Sequence, residues 1–217
     1  MRKQKLLILF AAALGLISLA AGPAFAELAA GVTLDFNAND PASGLSNSNW
    51  VSLTADSSSD WSFGSDVSLV NISHPSISKA YLFTGGDGAR TSSYNKYAGP
   101  DFFTIEVWLK PSDTGADSQV IFETGAGFRG MAVWYAKGTD SDGTGTINFT
   151  VDDGGNHDTV SAEIDTSKFT QVTGIYSRDI DAAGTDLLEI YIDGAFVAEN
   201  RENTGINDWG GGNDAGL

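Results

Sequence analysis

The chain has 217 residues and no cysteine, and its 28 acidic and 12 basic residues give a formal net charge of −16. A surface this acidic excludes nucleic acids and anionic lipid surfaces as partners, because both bind proteins through Lys and Arg side chains that replace counterions. Without cysteine, disulfides, thiol catalysis and zinc–thiolate sites are excluded too, so an apolar core has to stabilise the fold.

Residues 1–26 have the pattern of a secretory signal peptide. Three basic residues precede an apolar run from Leu6 to about Ala21, and Ala24 and Ala26 then supply the small side chains of an A-x-A cleavage site. The run is shorter than the ~20 residues that span a membrane, and Gly15 interrupts it, which argues against a membrane anchor. We expect cleavage after Ala26, no membrane insertion afterwards, and a secreted, periplasmic or cell-surface protein. The short signal and the lack of cysteine are typical of a bacterial origin.

Residues 27–217 contain neither a repeat nor a linker that would divide them, so we expect one domain, with 9 basic and 28 acidic residues. Short segments of alternating apolar residues follow one another, separated by Gly, Asp, Asn and Ser. In chain order, the alternation predicts strands within GVTLDFNAND (residues 31–40), NWVSLTA, DVSLVNIS, KAYLFTGG, DFFTIEVWLKP, SQVIFETG, FRGMAVWYAKG, GTINFTVDDGG, DTVSAEID, FTQVTGIYSRD and LLEIYIDGAFVAENR. The Ser-rich segment TADSSSDWSFGSD is interpreted as a loop, and no stretch keeps a helical period.

Strands at intervals of roughly ten residues predict an all-β protein, a two-sheet antiparallel sandwich of the jelly-roll type. The last segment predicts a hairpin, because Asp193-Gly194 supplies the two positive-φ positions of a type I′ turn. Asp193 is therefore interpreted as a turn residue rather than a ligand.

Five of these segments resemble a known family. FTIEVWLKP, QVIFETG, GMAVWYAKG, FTQVTGIYSRD and LLEIYIDGAFV, in this order, resemble the laminin-G-like, concanavalin A-like jelly roll, with its strand ending in Trp and Lys-Pro and its final Tyr-x-Asp-Gly hairpin. The resemblance covers roughly Val32 to Gly212. It implies a fold that hosts lectins, adhesion modules, hydrolases and lyases, so it narrows function little.

The end of the chain departs from this family. Members normally finish with a strand that pairs beside the N-terminal one, whereas this chain ends in the Gly-rich segment DWGGGNDAGL. We expect a C-terminally truncated sequence in which the final strand is missing, leaving the strand around Val32 to Phe36 with an exposed edge.

No catalytic constellation emerges from the sequence. The glycosidase branch of the fold resembles proteins with Glu-x-Asp-x-x-Glu on one strand, and here Glu163 and Asp165 share a face but Lys168 stands where the third acid is needed. The two histidines, His74 and His157, lie in loop-like segments without a nucleophile motif. We expect no enzyme, with a polysaccharide-active hydrolase or lyase as the alternative.

Calcium is the cofactor that the sequence could support. Asp140 and Asp142 lie in the loop TDSDGTG, and Asp152 and Asp153 lie in VDDGG. Alternate Asp carboxylates and loop carbonyls offer the oxygen ligands that Ca²⁺ prefers. The same residues are also what turns require, so these four are candidates only.

The tryptophans are the candidate ligand-binding residues. Trp134 has small neighbours on its face, so its ring either packs on the opposite sheet, as most buried aromatics do, or presents a stacking platform for a sugar. Trp50, Trp61 and Trp209 lie in or beside polar segments and are the better exposed candidates. Trp108 is interpreted as core, since the resemblance places a Trp at this strand end.

Together these observations predict a non-catalytic module that binds carbohydrate or another surface ligand. Besides the enzyme alternative, a structural cell-surface or matrix domain without a small ligand stays open. The oligomeric state and the identity of the ligand do not follow from the sequence.

Overall fold

The computed structural model describes residues 49–50, 61–65, 67–84, 88–91, 101–111, 118–124, 129–138, 143–202, 205–206 and 215–216. Within these ranges the chain forms strands and no helix, as the alternation predicted. The predicted signal peptide and the strand around Val32 to Phe36 lie outside the described residues. In the part of the chain that is described, no helix has the length and apolar character that crossing a membrane requires.

In chain order the strands are β1 (Asn49–Trp50), β2 (Trp61–Phe63), β3 (Val67–Asn71), β4 (Lys79–Phe83), β5 (Ala89–Thr91), β6 (Phe102–Leu109), β7 (Ser118–Glu123), β8 (Arg129–Lys137), β9 (Thr144–Asp153), β10 (His157–Asp165), β11 (Thr170–Ser177), β12 (Asp186–Ile192), β13 (Ala195–Glu202) and β14 (Ala215–Gly216). They pair antiparallel into a large sheet with the order β1-β2-β5-β14-β7-β8-β9-β10, a small sheet with the order β13-β12-β11-β6, and the hairpin β3-β4. This is the all-β antiparallel architecture expected from the sequence.

The core lies between the large and the small sheet. Val133 and Phe149 from the large sheet and Val172 and Ile190 from the small sheet belong to one buried cluster. Gly174 of β11 lets the two sheets approach, because a Cβ at this position would stand 3.0 Å from the ring of Phe149 on β9. The interior is thus packed closely enough that even one added methyl group would press on the opposite layer.

The predicted hairpin is present between β12 and β13. Asp193 and Gly194 have φ values of 51° and 78°, so both central residues are in the left-handed region that a type I′ turn requires. The Asp193 carboxylate also accepts a hydrogen bond from the backbone N–H of Gln171 at 3.0 Å and lies 3.3 Å from Lys168 Nζ. Asp193 is therefore a turn residue, as predicted, and it ties the turn to the neighbouring β11.

Three short strands differ from the sequence predictions. Residues 61–63, interpreted as part of a loop, form β2, and residues 89–91 form β5, which no pattern predicted. Within DWGGGNDAGL, interpreted as Gly-rich and without a strand of its own, residues 215–216 form β14, which pairs with both β5 and β7. Strands of two or three residues are too short to show an alternation, so only their partners in the sheet define them.

Candidate functional site

Trp134 lies on the side of the large sheet that faces away from the core. Its chain neighbours Val133 and Tyr135 are fully buried between the sheets. Because side chains alternate along a strand, Trp134 points to the opposite side together with Ala132 and Ala136, and its indole is half-buried. Of the two alternatives left open for Trp134, its place excludes packing on the opposite sheet and fits an outward-facing platform.

The registers of β7, β8, β9 and β10 place twelve outward side chains in three rows of four, which we call the Trp134 face. The central row contains Val120, Trp134, Asn148 and Ser161, one flanking row contains Glu123, Ala132, Thr150 and Thr159, and the other contains Ser118, Ala136, Thr146 and Glu163. The neighbours of Trp134 on this side of β8 are both alanines, so no bulky side chain flanks it along its own strand.

Hydrogen bonds between side chains hold the middle of the Trp134 face. The Trp134 Nε1–H donates to Thr150 Oγ1 at 3.3 Å, and the Thr150 and Thr159 hydroxyls are 2.9 Å apart. The Ser161 hydroxyl donates to Asn148 Oδ1 at 2.7 Å. The indole is thus oriented by a polar partner, while the hydroxyl oxygens keep further donor or acceptor capacity for a ligand.

The Asn148 amide is the one strongly buried polar group of this face. Asn148 is 7% exposed, and its Nδ2 has no hydrogen-bond partner within the described part of the chain. Ser161 satisfies the Oδ1 atom of the amide, so the buried Nδ2 donor is the polar atom that stays unsatisfied. An unsatisfied buried amide costs about 1–3 kcal/mol, which a ligand hydroxyl at this position would recover.

The charges of the Trp134 face are negative and lie at its margins. Glu123 and Glu163 occupy opposite corners, and none of the other ten side chains is ionisable. The backbones of the two glutamates are three strands and two rows apart, about 20 Å for a strand spacing of ~4.8 Å and a rise of ~3.4 Å per residue. The centre of the face is therefore uncharged.

Two carboxylates that the sequence did not bring together are opposite each other on the small sheet. Glu189 of β12 pairs in register with Glu199 of β13. Arg201 binds Glu199 through two contacts of 2.8 and 3.0 Å, and this hydrogen bonding lowers the pKa of Glu199. The Tyr191 hydroxyl donates to Glu189 at 3.3 Å. The Arg-bound carboxylate stays ionised, so it is a poor proton donor.

A second group that the sequence missed is buried at the end of the sandwich. Asp158 and Asp186 are almost completely buried, and the negative charge of each carboxylate raises the pKa of Tyr176. Burial is the main cause that raises the pKa of Tyr176, followed by the charge of Asp186. A phenol whose pKa is raised in this way stays neutral, so it does not act as a base.

The carboxylates nominated in EIDTSKF do not form a reactive pair. Asp165 accepts a hydrogen bond from the Ser167 backbone N–H at 2.8 Å, and hydrogen bonding by Ser167, first through its hydroxyl, lowers the Asp165 pKa. Both Glu163 and Asp165 are exposed. Asp165 therefore caps the turn after β10, which is a structural role.

Comparison with known proteins identifies the family. Residues 83–216 match a laminin G family described as the "Concanavalin A-like lectin/glucanases superfamily". The chain belongs to this family. The matched region of this laminin-G-like chain begins at the end of β4. It contains every strand of the small sheet and every strand of the Trp134 face.

A solved structure supports the same fold for this laminin-G-like chain. A crystal structure of an HCR/D mutant superposes with a TM-score of 0.51 and 16% sequence identity, over 76% of this chain and 39% of that one. The chain thus spans well under half of the length of that structure, and at this identity the likeness shows the fold alone. None of the curated proteins compared with the chain matches it.

Trp108 is exposed, although the family resemblance predicted that it belongs to the core. It is 39% exposed and shares the outward side of the small sheet with Glu106, because the alternation along β6 gives the core to Val107 and Leu109. The ring of His74 lies 5.5 Å from the Trp108 ring in an edge-to-face arrangement. Trp108 is therefore a surface residue, and the period-two pattern was the better guide.

Trp61 is buried, although it was predicted to be exposed. It was nominated as an exposed candidate because polar residues surround it in the sequence, but it is 2% exposed and its ring lies 6.1 Å from that of Phe122 in the core. Trp50 lies opposite Trp61 in the β1–β2 pair. Trp209 lies outside the described residues, so Trp134 is the nominated tryptophan that the structure places on an open sheet face.

Of the four calcium candidates, the structure describes Asp152 and Asp153, and both carboxylates accept hydrogen bonds from backbone N–H groups. The Asp152 carboxylate accepts a hydrogen bond from Gly154 N, and Asp153 Oδ1 accepts from the backbone N–H groups of Gly155 and Asn156 at 2.8 and 2.7 Å. These are the contacts of a turn between β9 and β10. Asp140 and Asp142 lie outside the described residues, and in the described ranges no three His, Asp or Glu side chains are grouped as metal ligands.

Proposed function

We propose that this laminin-G-like chain is a non-catalytic carbohydrate-binding module of an exported protein, and that the Trp134 face is its binding surface. The observation that carries the proposal is a half-buried indole on the outward side of a sheet, surrounded by alanine, hydroxyl and amide side chains. An aromatic ring offers a flat apolar surface for the C–H face of a sugar, while nearby polar groups meet its hydroxyls.

The arrangement of the acids supports binding rather than hydrolysis. Glycosidases hold two carboxyl groups about 5–9.5 Å apart across the scissile bond. On the Trp134 face the backbones of the two glutamates are about 20 Å apart, roughly twice the upper limit of that range, at opposite corners. On the other sheet Glu199 is bound by Arg201. We therefore propose that the module retains a polysaccharide without cleaving it.

The experiment compares Trp134→Ala with the unchanged protein in affinity electrophoresis through gels that contain soluble polysaccharides. We expect at least a tenfold loss of affinity, because truncation removes the ring on which the sugar stacks. Trp108→Ala is the matched control, since it removes an indole from the outward side of the other sheet, and its retardation should equal that of the unchanged protein. Equal retardation of Trp134→Ala and the unchanged protein would refute the proposal.

Catalysis and calcium are tested in the same system. We expect no release of reducing sugar and no unsaturated uronate absorbance from any polysaccharide that the protein binds, and release of either would establish the enzyme alternative. We propose that any Ca²⁺ held by candidates such as Asp140 and Asp142 takes no part in sugar binding, because the two carboxylates of the Trp134 face stand at opposite corners. EDTA should therefore leave the retardation unchanged, and a loss of retardation that added Ca²⁺ restores would overturn this expectation.

A further inference from the structure

We infer that the Trp134 face selects uncharged polysaccharide chains over anionic ones, and that the Asn148 amide is the polar group that grips the bound sugar. This inference rests on the proposed function and names the ligand class of the same site.

The charge of the face argues for an uncharged ligand. The Trp134 face has two ionisable side chains, both glutamates at opposite corners, and the side chains of its central row are uncharged. A uronate or sulfate placed over Trp134 would find no Lys or Arg in the three rows to pair with it. The whole chain adds a net charge of −16, so the long-range field repels a polyanion as well.

The Asn148 amide argues for a ligand with hydroxyl groups. Its nearest neighbours on the face are Trp134 on β8, Ser161 on β10, and Thr146 and Thr150 on its own strand. The indole is the largest of these four side chains, which makes it the group best placed to cover the amide. A single hydrogen bond of 3.3 Å to Thr150 holds the indole in this position.

A sugar that stacks on the ring can therefore complete the face. Rotation of the indole away from Thr150 would open the path from the ligand to the amide, and a sugar hydroxyl would then satisfy the polar atom that the protein leaves alone. The unsatisfied Nδ2–H is a donor, so it calls for an acceptor oxygen, which a sugar hydroxyl supplies. The amide thus accounts for binding of a sugar oxygen, and the absence of Lys and Arg among the twelve side chains accounts for the preference for an uncharged chain.

The selectivity test uses polysaccharides that share a backbone and differ in charge. Hydroxyethylcellulose is compared with carboxymethylcellulose, and highly methyl-esterified with de-esterified homogalacturonan, in affinity gels at low and at high salt. In each pair that retards the protein, we expect at least tenfold tighter binding of the neutral member at low salt. Glu123→Gln combined with Glu163→Gln should narrow this preference. Equal or tighter binding of the anionic member would overturn the inference.

The amide test uses Asn148→Leu, which keeps the size of the side chain and removes its polar atoms. We expect an unchanged or higher melting temperature, since an unsatisfied buried group is lost, together with at least a tenfold loss of affinity for the neutral chain. A merely structural amide would leave binding unchanged in the folded variant, and that result would refute its role. Gln171→Leu is the control, because it removes a side-chain amide from the outward side of the small sheet, beside Trp108, and leaves the Trp134 face unchanged.

The outcomes separate the two proposals. If Trp134→Ala abolishes retardation but the unchanged protein is retarded more strongly by the anionic polymers than by the neutral ones, only the proposed ligand class is wrong. Absence of retardation on every polymer, or retardation that Trp134→Ala leaves unchanged, overturns the proposed function and this inference with it.

Discussion

Asp186 illustrates how a single buried carboxylate responds to its surroundings. It is 1% exposed at the start of β12, and its Oδ1 accepts a hydrogen bond from the Asp179 backbone N–H at 3.1 Å. Burial is the largest influence and raises the pKa of Asp186 above its ordinary value of 3.8, although hydrogen bonds from Asp179 and Ile206 oppose the shift. The folded protein therefore holds this proton more firmly than the unfolded chain does.

This pKa shift gives a prediction about stability and pH. Because the folded-state pKa is the higher one, the contribution of Asp186 to the free energy of unfolding falls as the pH rises from about 3.8 through the folded-state pKa, and the loss is complete above it. Asp186→Asn keeps an oxygen for Asp179 and removes the titration. Urea unfolding from pH 4 to pH 8 should show the variant gaining stability relative to the unchanged protein as the pH rises. A difference that is the same at every pH would contradict the shift.

Two tryptophans show why the side of a strand matters more than the residue type. Trp61 follows a Ser-rich segment and is buried, whereas Trp108 lies within an apolar strand and is half exposed. The free energy gained by burial depends on which side the backbone presents to the second sheet. Hydrophobicity of the neighbouring sequence was therefore a poor guide to either residue.

At the scale of elements, two glycines make room for aromatic rings in the core. Gly174 on β11 faces the ring of Phe149 on β9, and Gly145 on β9 lies under the ring of Tyr135 on β8. Neither glycine has a positive φ, so these positions require the absence of a side chain rather than an unusual backbone. The contact between Gly174 and Phe149 joins the small sheet to the large sheet directly behind the Trp134 face.

Gly174→Ala tests this packing. The new Cβ would stand 3.0 Å from Phe149 in a closely packed interior, and overpacking of this kind typically costs about 1–3 kcal/mol of stability. Gly155→Ala is the control, since the nearest atom to its Cβ is 3.5 Å away in an exposed turn, and we expect a change within about 0.5 kcal/mol. Chemical denaturation measures both values. Equal stability of the two variants would show that the space between the sheets accommodates the added methyl group.

At the scale of the whole molecule, export is the prediction that can be checked independently of binding. A chain expressed with residues 1–26 should leave the cytoplasm, and N-terminal sequencing of the exported protein should begin at Glu27. Ala26→Leu is the matched variant, because a large side chain at the cleavage site should leave the uncleaved precursor. A protein that keeps Met1 after export, or that stays in the cytoplasm, would refute the predicted signal peptide.

The large sheet and the small sheet divide the molecule into surfaces of different character. The outward side of the small sheet carries Trp108 and the Glu189–Glu199 pair, whereas the Trp134 face is neutral in its centre. Each surface combines strands from distant parts of the sequence, such as β7 with β10 and β6 with β11. The pairing of acids and the neutral centre both arise from strand registers that are set only when the sheets form.

The sequence by itself determined the local structure of this protein: the all-β class, the long strands from β6 to β13, the two sides of β6 and β8, and the turn at Asp193-Gly194. These features follow from period-two alternation and from backbone angles, which depend on residues close together in the chain. Only the tertiary structure decided which side of each strand is covered, and so placed Trp61 in the core, Trp134 on an open face and the unsatisfied amide of Asn148 beside it. The physical reason is that alternation groups side chains without saying which group meets the second sheet, since that depends on contacts between strands far apart in the sequence.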